Sequence, residues 1–288
     1  MARLAQTEGL TDVQEAILDA VHSFVENEII PVANELEHAD EYPQAIVDGL
    51  KELGVFGLMI PEEYGGLGES LLTYALVVEE IARGWMPVSG VINTHFIVAY
   101  MLMQHGTQEQ KAKYLPRMAT GEVRGAFSMS EPGVGSDVSG ITSKAVRDGD
   151  GWSLTGQKMW LTNGGSSTLV AVLVRADEDA PADASVYKKM STFLIEKESG
   201  FGEVRPGLTI LGKIEKMGYK GVDTTELIMD GLKLSNDDLL GGETGKGFYQ
   251  MMDGVEVGRV NVAARAAGLG LRAFELAIDY AQQRHAFG

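Results

Sequence analysis

Residues 142–161, TSKAVRDGDGWSLTGQKMWL, decide the fold class of this chain. Two strand-like runs, 142–147 and 152–161, flank the tetrapeptide Asp148-Gly149-Asp150-Gly151. Asp-Gly steps are favoured where a tight turn needs positive φ angles, and such a turn between two strand-like runs is typical of a hairpin. The segment therefore predicts a β-hairpin in the middle of the chain.

Further short strands are predicted on both sides of this hairpin. They are residues 126–130, 169–175, 191–195, 208–210 and 224–229, and glycine-rich or charged turns separate them. Residues 177–189 are polar, and we expect an exposed loop there. Many short strands with such turns predict a small β-barrel or sandwich.

The chain before Gly121 follows a helical period instead. Residues 11–14, TDVQ, have capping-box spacing, and the apolar face that follows predicts a helix ending near Pro31 or shortly beyond. A short helix is expected over residues 45–53, with Gly54 closing it. Proline and glycine dominate residues 60–68, so no regular element is expected there.

Helical patterns return at residues 71–83 and 89–104, and a second capping box, TQEQ, lies at 107–110. After Gly245 the period predicts two more helices, one from about Phe248 and another over residues 271–283. We expect Met251, Met252, Phe274 and Leu276 on these helices to present apolar surface, because their bundle partners are not in this chain.

This order of elements predicts a multidomain α+β protein. Its parts are an all-α N-terminal domain (1–121), a central β-barrel or sandwich domain (122–235) and the first helices of an incomplete C-terminal bundle (236–288). Rossmann and TIM architectures are excluded, because they need strands and helices in alternation.

Composition narrows the function classes. The net charge of −17 argues against nucleic-acid binding, which needs a basic face. The absence of cysteine excludes disulfides, thiolate metal sites and cysteine nucleophiles, and we expect no metal site. No apolar run reaches membrane-span length, and residues 1–8 resemble neither a signal nor a transit peptide. A cytoplasmic protein is the simplest interpretation.

Two blocks carry the candidate chemistry. In residues 127–137, FSMSEPGVGSD, a strand runs into a loop with two glycines, whose backbone N–H groups and serine hydroxyls could hold an anion. In residues 156–164, GQKMWLTNG, a tryptophan ring could pack on an aromatic cofactor, with a threonine hydroxyl on the same face. Taken alone, the first block is better explained as an ordinary turn and the second as a half-buried strand with one core tryptophan.

Together, the two blocks resemble the paired flavin-binding signatures of the acyl-CoA dehydrogenase family, in the family's order and spacing. The resemblance covers essentially the whole chain. It includes PEEYGG at 61–66, KMG at 216–218, Gly258-Arg259 and RHAFG at 284–288.

The resemblance implies FAD as cofactor and assigns residues to it. The implied FAD contacts are Phe127, Met129, Ser130, Gly135, Ser136, Trp160, Leu161, Thr162, Arg284 and Phe287. Ser130 stands where relatives more often carry threonine, and the hydroxyl is retained. Trp160 would lie against the flavin ring and Thr162 would bond near its N5 atom.

The resemblance also implies the substrate and the assembly. Ser136, Glu256 and Arg259 would contact an acyl-CoA thioester. Arg284 and Phe287 match a family motif that reaches the FAD of a neighbouring subunit, so a homo- or hetero-oligomer is expected, a dimer at least, with a tetramer preferred. An electron-transfer flavoprotein would accept the electrons.

The implied reaction is α,β-dehydrogenation, as in fatty-acid or branched-chain acyl-CoA breakdown. Most family members keep the catalytic glutamate beyond the segment matching 284–288, and a minority keep it where this chain has Gly258. Glu256 is displaced from that position by roughly 200° around a helix. We therefore predict no catalytic residue in this chain. The chain would then be a piece of a longer enzyme, or a partner subunit would supply the missing base.

Three alternatives stay open. An acyl-CoA oxidase would share the fold and return electrons to oxygen. A related flavin monooxygenase or nitroalkane oxidase is a further possibility. The chain could also be a non-catalytic FAD- or acyl-CoA-binding subunit of a hetero-oligomer.

Overall fold

The computed structural model describes residues 9–177, 180–181 and 183–288. The N-terminal octapeptide and part of the loop predicted over 177–189 lie outside the described residues. Within the described part, six α-helices and eight strands follow one another in the order helices, strands, helix. This confirms the predicted fold class, while the domain boundaries at 121 and 235 stay predictions.

The N-terminal helix is longer than predicted. Helix α1 (Asp12–Phe24) begins with the expected capping box, then passes through a π-helical turn (Val25–Ile29) into α2 (Ile30–Ala39). The end predicted near Pro31 or shortly beyond falls short of the observed end at Ala39. The π turn shifts the hydrogen-bond register just before Pro31, which then lies in the first turn of α2, where a missing N–H is tolerated.

The other N-terminal helices follow the prediction closely. They are α3 (Gln44–Glu52), α4 (Leu71–His105) and α5 (Gln108–Ala119). Gly54 after α3 has a φ of 72°, the left-handed conformation expected of a glycine that closes a helix. Helix α4 is interrupted at Trp85, whose φ of −157° and ψ of 107° separate two arms that match the two helices predicted there.

Helix α4 is the central core helix. It is the one helix in the described residues that is long and apolar enough to cross a membrane by length and composition, but 78% of its most apolar window is buried inside the protein. Its apolar side chains pack on α1, α3, α5 and the sheet. Burial against other elements, and not a bilayer, accounts for its composition.

The strands form one curled eight-stranded sheet rather than two separate sheets. They are β1 (Gly125–Ser128), β2 (Lys144–Asp148), β3 (Gly151–Thr162), β4 (Leu169–Arg175), β5 (Met190–Glu196), β6 (Gly202–Arg205), β7 (Leu208–Ile210) and β8 (Thr224–Leu234). Strands β2 and β3 pair antiparallel, which confirms the hairpin, and β1 pairs parallel with β4. Strand β6 was not predicted, because this short edge strand has little buried surface to pattern it.

A single helix, α6 (Gly247–Gln283), replaces the two helices predicted after Gly245. Gly268, which lies between the two predicted helices, serves close packing: a Cβ there would lie 2.0 Å from the Glu79 carbonyl oxygen of α4. Met251 is fully buried and Met252 half-buried against the α4 and α5 core, contrary to expectation. Phe274 and Leu276 are exposed, as predicted.

Candidate functional site

The first block is a strand end that opens into a surface loop. Phe127 and Met129 are half-buried and pack on the core cluster around Ile97, whereas Gly135 and Ser136 are exposed. A Cβ added at Gly135 would meet no heavy atom within 4 Å. The backbone there borders open space, which is what a loop that binds an anion through its main chain requires.

The second block is a bulged strand end that projects a tryptophan. The pairing register of β3 with β8 shifts between Lys158 and Leu161, and within this bulge Trp160 takes a φ of 63°. Its neighbour Leu161 is buried, while 55% of Trp160 is exposed. Bulges re-aim side chains, and a large residue at positive φ stores strain, so a flat aromatic surface is held outward at a cost.

Contacts between the blocks bring them into one site. The Met159 N–H donates to the Ser130 carbonyl oxygen over 2.9 Å. The Lys158 ammonium donates to the Met129 carbonyl over 3.1 Å and to Glu131 Oε1 over 2.9 Å. Ser130 and Trp160 therefore lie on segments that touch, although 30 positions separate them in sequence.

Glu131 accepts four hydrogen bonds and is almost completely buried. Besides Lys158, its donors are the Thr142 N–H and hydroxyl, both at 2.8 Å, and the Ser143 N–H at 2.9 Å. Burial alone would raise the pKa of Glu131, but the Lys158 charge and the donors on Thr142 and Ser143 lower it to about 2. Burial lowers the pKa of Lys158 to about 8, although Glu131 opposes this.

Sequence reasoning missed Lys158 altogether. The available signal was the period of β3, in which Lys158 has the same parity as the buried Trp152 and Leu154. A lysine on the inward face of a strand needs a buried partner. The sequence alone did not identify Glu131 as that partner.

The predicted substrate residues of α6 lie on its solvent-facing side. Arg259 Nη1 contacts Glu256 Oε1 at 2.7 Å, and both side chains are largely exposed. Gly258 is buried, and a Cβ there would lie 2.9 Å from Ile97 Cδ1 and 3.8 Å from Asn93 Oδ1. The prediction that Glu256 points away from the Gly258 position is confirmed.

A partly apolar groove runs between α4 and α6 near these residues. Its volume is about 250 Å³. The residues that line it are Met59, Glu69, Leu71, Tyr100, Met103, Glu256, Val257 and Val260. Asn93 Oδ1, which faces Gly258, is buried without a hydrogen-bond partner among the described residues.

Arg284 and Phe287 lie at the end of the chain, far along α6 from Arg259. Both follow the end of α6 and are exposed. About 25 helical residues separate Arg284 from Arg259, which corresponds to roughly 37 Å at 1.5 Å per residue. Within one chain they therefore serve a different surface.

Family comparisons agree with this architecture along the chain. Family models for the acyl-CoA dehydrogenase N-terminal, middle and C-terminal domains match residues 11–122, 126–232 and 245–288. The sequence is 37% identical to (2S)-methylsuccinyl-CoA dehydrogenase of Cereibacter sphaeroides over 97% of this chain and 51% of that protein. It is 34% identical to an acyl-CoA dehydrogenase of Bacillus subtilis over 97% of this chain and 71% of that protein.

Solved structures show the same fold. Butyryl-CoA dehydrogenase from Megasphaera elsdenii superposes with a TM-score of 0.89 at 32% identity, covering 98% of this chain and 72% of that one. A Mycobacterium smegmatis glutaryl-CoA dehydrogenase in complex with FADH2 gives 0.85 at 25% identity, with 96% and 67% covered. A chain from a study of the electron transferring flavoprotein of Acidaminococcus fermentans gives 0.87 at 32%, with 98% and 72% covered.

A helical domain, a curled sheet and a long following helix, with a two-block loop site on the sheet, thus define the class of protein. The chain belongs to the acyl-CoA dehydrogenase family. It spans about half the length of the methylsuccinyl-CoA dehydrogenase and 71% of the Bacillus relative.

Proposed function

We propose that this chain is the FAD- and acyl-CoA-binding part of an FAD-dependent dehydrogenase that introduces an α,β double bond into an acyl-CoA thioester in lipid breakdown. The observation that carries the proposal is the junction of the two blocks, where the Met159 N–H bonds the Ser130 carbonyl. This contact brings together the two segments that resemble the family's flavin signatures.

The residues present fit a flavin. Trp160 is 55% exposed, Ser130 and Thr162 are half-buried residues that carry hydroxyls, and Gly135 leaves open backbone in the loop after β1. When bound, FAD supplies the hydride-accepting chemistry. The protein's part is to hold and orient the ring: Trp160 by packing, Ser130 and Thr162 by hydrogen bonds, and Phe127, Met129, Gly135, Ser136 and Leu161 by shaping the loop and its floor.

The acyl-CoA would occupy the side facing α6. Ser136 is exposed on the loop, and the groove between α4 and α6 offers apolar lining for an acyl chain. Arg259 is free to turn toward an anionic CoA group, because an exposed pair such as Arg259–Glu256 is stabilised only weakly.

The catalytic base is proposed to lie outside this chain. Gly258 occupies the position where a minority of the family carries glutamate, and Glu256, although it lines the groove, is largely exposed and paired with Arg259. Within the described residues, Glu131 is held ionised and buried by four donors, which leaves it unsuited to accept a substrate proton. A base supplied from elsewhere in a longer enzyme, or by a partner subunit, completes the site.

Partners follow from the same reasoning. The exposed Arg284 and Phe287 are available to the FAD of a neighbouring subunit, which favours an oligomer, most simply a tetramer. An electron-transfer flavoprotein is the proposed acceptor, and the cytoplasm the proposed compartment.

Titration of the chain with FAD tests the proposal. We expect saturable binding, with quenching of Trp160 fluorescence, that is lost in the Trp160→Ala, Thr162→Ala double variant. Tyr249→Ala is the matched control, because Tyr249 is also aromatic and 51% exposed but lies at the start of α6. Equal binding by the folded double variant would contradict the assignment.

The base is tested by exchange of the substrate α proton with solvent deuterium. The unmodified chain loaded with FAD and acyl-CoA should exchange this proton no faster than buffer does, because a positioned base contributes about 10²–10⁴-fold. Rapid exchange would require a base within these residues.

A separate experiment distinguishes the alternatives. Loss of the oxidised flavin colour when acyl-CoA is added without oxygen, in an enzyme that also has its base, indicates an enzyme and not a binding subunit. Peroxide release in oxygen then identifies an oxidase.

A further inference from the structure

The buried ion pair between Glu131 and Lys158 joins three segments around the two blocks. The side chains are 5% and 0% exposed, and Lys158 Nζ lies 2.9 Å from Glu131 Oε1. Glu131 lies in the loop after β1, its donors Thr142 and Ser143 lead into β2, and Lys158 belongs to β3. One carboxylate therefore fixes the relative positions of all three.

This arrangement has a cost that packing alone would avoid. Removing two charges from water is unfavourable, and an apolar pair of similar volume is often at least as stable. Here every carboxylate lone pair is satisfied. The presence of the pair is therefore better explained by the unique geometry that it specifies than by a gain in stability. Here that geometry concerns the peptide on each side of Ser130.

Ser130 is held from both directions. Lys158 donates to the carbonyl of Met129, which precedes Ser130, and to the side chain of Glu131, which follows Ser130. Ser130 itself accepts from the Met159 N–H, next to Lys158 in β3. Trp160 follows one position later, so the pair sets the distance between the Ser130 hydroxyl and the Trp160 ring.

We propose that Glu131 and Lys158 are positioning residues of the flavin site, which hold the loop after β1 and the bulge of β3 at the separation that an isoalloxazine ring requires. The inference rests on the proposed function, because it takes FAD to be the ligand of the two blocks. Neither residue is proposed to touch the cofactor or the reacting atoms.

The central variants separate positioning from stability. Lys158→Met keeps the buried volume and leaves the three bonds from Thr142 and Ser143 to Glu131. The double variant Glu131→Leu, Lys158→Met removes both charges, so no unpaired charge remains in the core. Both should bind FAD at least tenfold more weakly than the wild type, with an altered visible flavin spectrum, even where thermal melting shows a stably folded protein.

A second buried ion pair provides the matched control. Arg83 and Glu80, each 5% exposed, lie 2.9 Å apart in α4 and are remote in sequence from both blocks. Arg83→Met should lower the melting temperature yet leave FAD affinity and the flavin spectrum of the folded protein unchanged. Weakening by Arg83→Met equal to that by Lys158→Met would overturn the proposal, since general destabilisation would then explain both.

Hydrogen exchange on the protein without cofactor provides a readout that does not need FAD. The Met159 N–H should be protected in the wild type, and Lys158→Met should accelerate its exchange at least tenfold more than that of the Val170 N–H in β4. An unprotected Met159 N–H in the wild type overturns the inference, whether or not any variant folds.

The outcomes separate the positioning role from the proposed function. If the wild type shows this protection but binds no FAD, the proposed function fails while the connection between the two blocks through Glu131 and Lys158 stands. If it binds FAD and the folded variants bind equally well with the same spectrum, the positioning role fails.

Discussion

Trp160 shows how a single residue can be unfavourable for the fold and useful for a site. Its φ of 63° is a conformation that costs a bulky residue free energy, and 55% of the residue remains exposed to solvent. Neither property helps the chain to fold. Both are expected of a residue that binds a flat aromatic ligand.

A glycine at position 160 should relieve the strain while abolishing the contact. We expect Trp160→Gly to keep or raise the free energy of unfolding, by up to about 1 kcal/mol, because glycine adopts positive φ without a Cβ penalty. FAD affinity should fall at the same time. Urea denaturation and FAD titration measure the two effects, and a loss of stability above about 1 kcal/mol would argue against backbone strain at this bulge.

Glu131 should make stability depend on acid in a recognisable way. Its folded pKa of about 2 lies below the ordinary value of 4.5, so the unfolded chain binds the proton more tightly. The stabilisation is therefore complete above about pH 4.5 and is lost as the pH falls toward 2, amounting to roughly 3 kcal/mol. Denaturation at pH 7 and pH 3 should show a smaller pH dependence in Glu131→Gln than in the wild type. Equal pH dependence in the two proteins would contradict this assignment.

At the scale of elements, α6 shows that two glycines in one helix can differ in whether packing requires them. Gly268 and Gly270 lie between the two helices predicted after Gly245, yet α6 continues through them. At Gly268 the helix approaches the α4 backbone, whereas at Gly270 a Cβ would meet no heavy atom within 4 Å. Only the first glycine is required by packing.

Alanine substitutions at these two glycines should therefore have opposite signs. Gly268→Ala should destabilise the protein by about 1–3 kcal/mol or more, because its Cβ would lie 2.0 Å from the Glu79 carbonyl oxygen. Gly270→Ala should stabilise by about 0.5–1 kcal/mol, since alanine is the better helix former. Thermal melting of the two variants decides this, and similar shifts in the same direction would disprove the close approach of α6 to α4.

At the scale of the whole molecule, the last turns of α6 are too apolar for an isolated surface, with Leu276 and Tyr280 on one side of the helix and Phe274 roughly 200° away from Leu276. Phe274, Leu276 and Tyr280 are 55%, 53% and 63% exposed on its last turns. Large apolar side chains exposed on two sides of one helix end mark an interaction surface. In the proposed oligomer it would be covered, together with the segment that carries Arg284 and Phe287.

The chain should accordingly associate in solution. Light scattering at micromolar concentration should give a mass above 31.0 kDa that falls on dilution. The Phe274→Glu, Leu276→Glu double variant should shift the equilibrium toward monomer. Val13→Glu is the control, because Val13 is 62% exposed but lies on α1 at the other end of the chain. A wild type that stays monomeric throughout contradicts the prediction.

Local signals predicted most of the elements and two parts of the site. Capping boxes at Thr11 and Thr107, the Asp-Gly turn before β3 and the glycine after α3 each act within a few residues, so their outcomes follow from short-range chemistry. The two candidate blocks were found from their glycines, hydroxyls and tryptophan. Their resemblance to a flavin site was inferred from the order and spacing of the two blocks, and both can be read from a single sequence.

The sequence by itself thus determined most of the helical segments, every strand except β6, and the two blocks that carry the candidate chemistry. Only the tertiary structure decided that α2 continues past Pro31, that α6 is one helix, and that Lys158 meets Glu131 beneath Ser130. Each of these depends on what packs against a segment from a distant part of the chain: a π turn accommodated by the core, the backbone of α4 beside Gly268, and a carboxylate 27 positions away. Periodicity records which face is buried, but the identity of the buried partner is a long-range property that no local pattern contains.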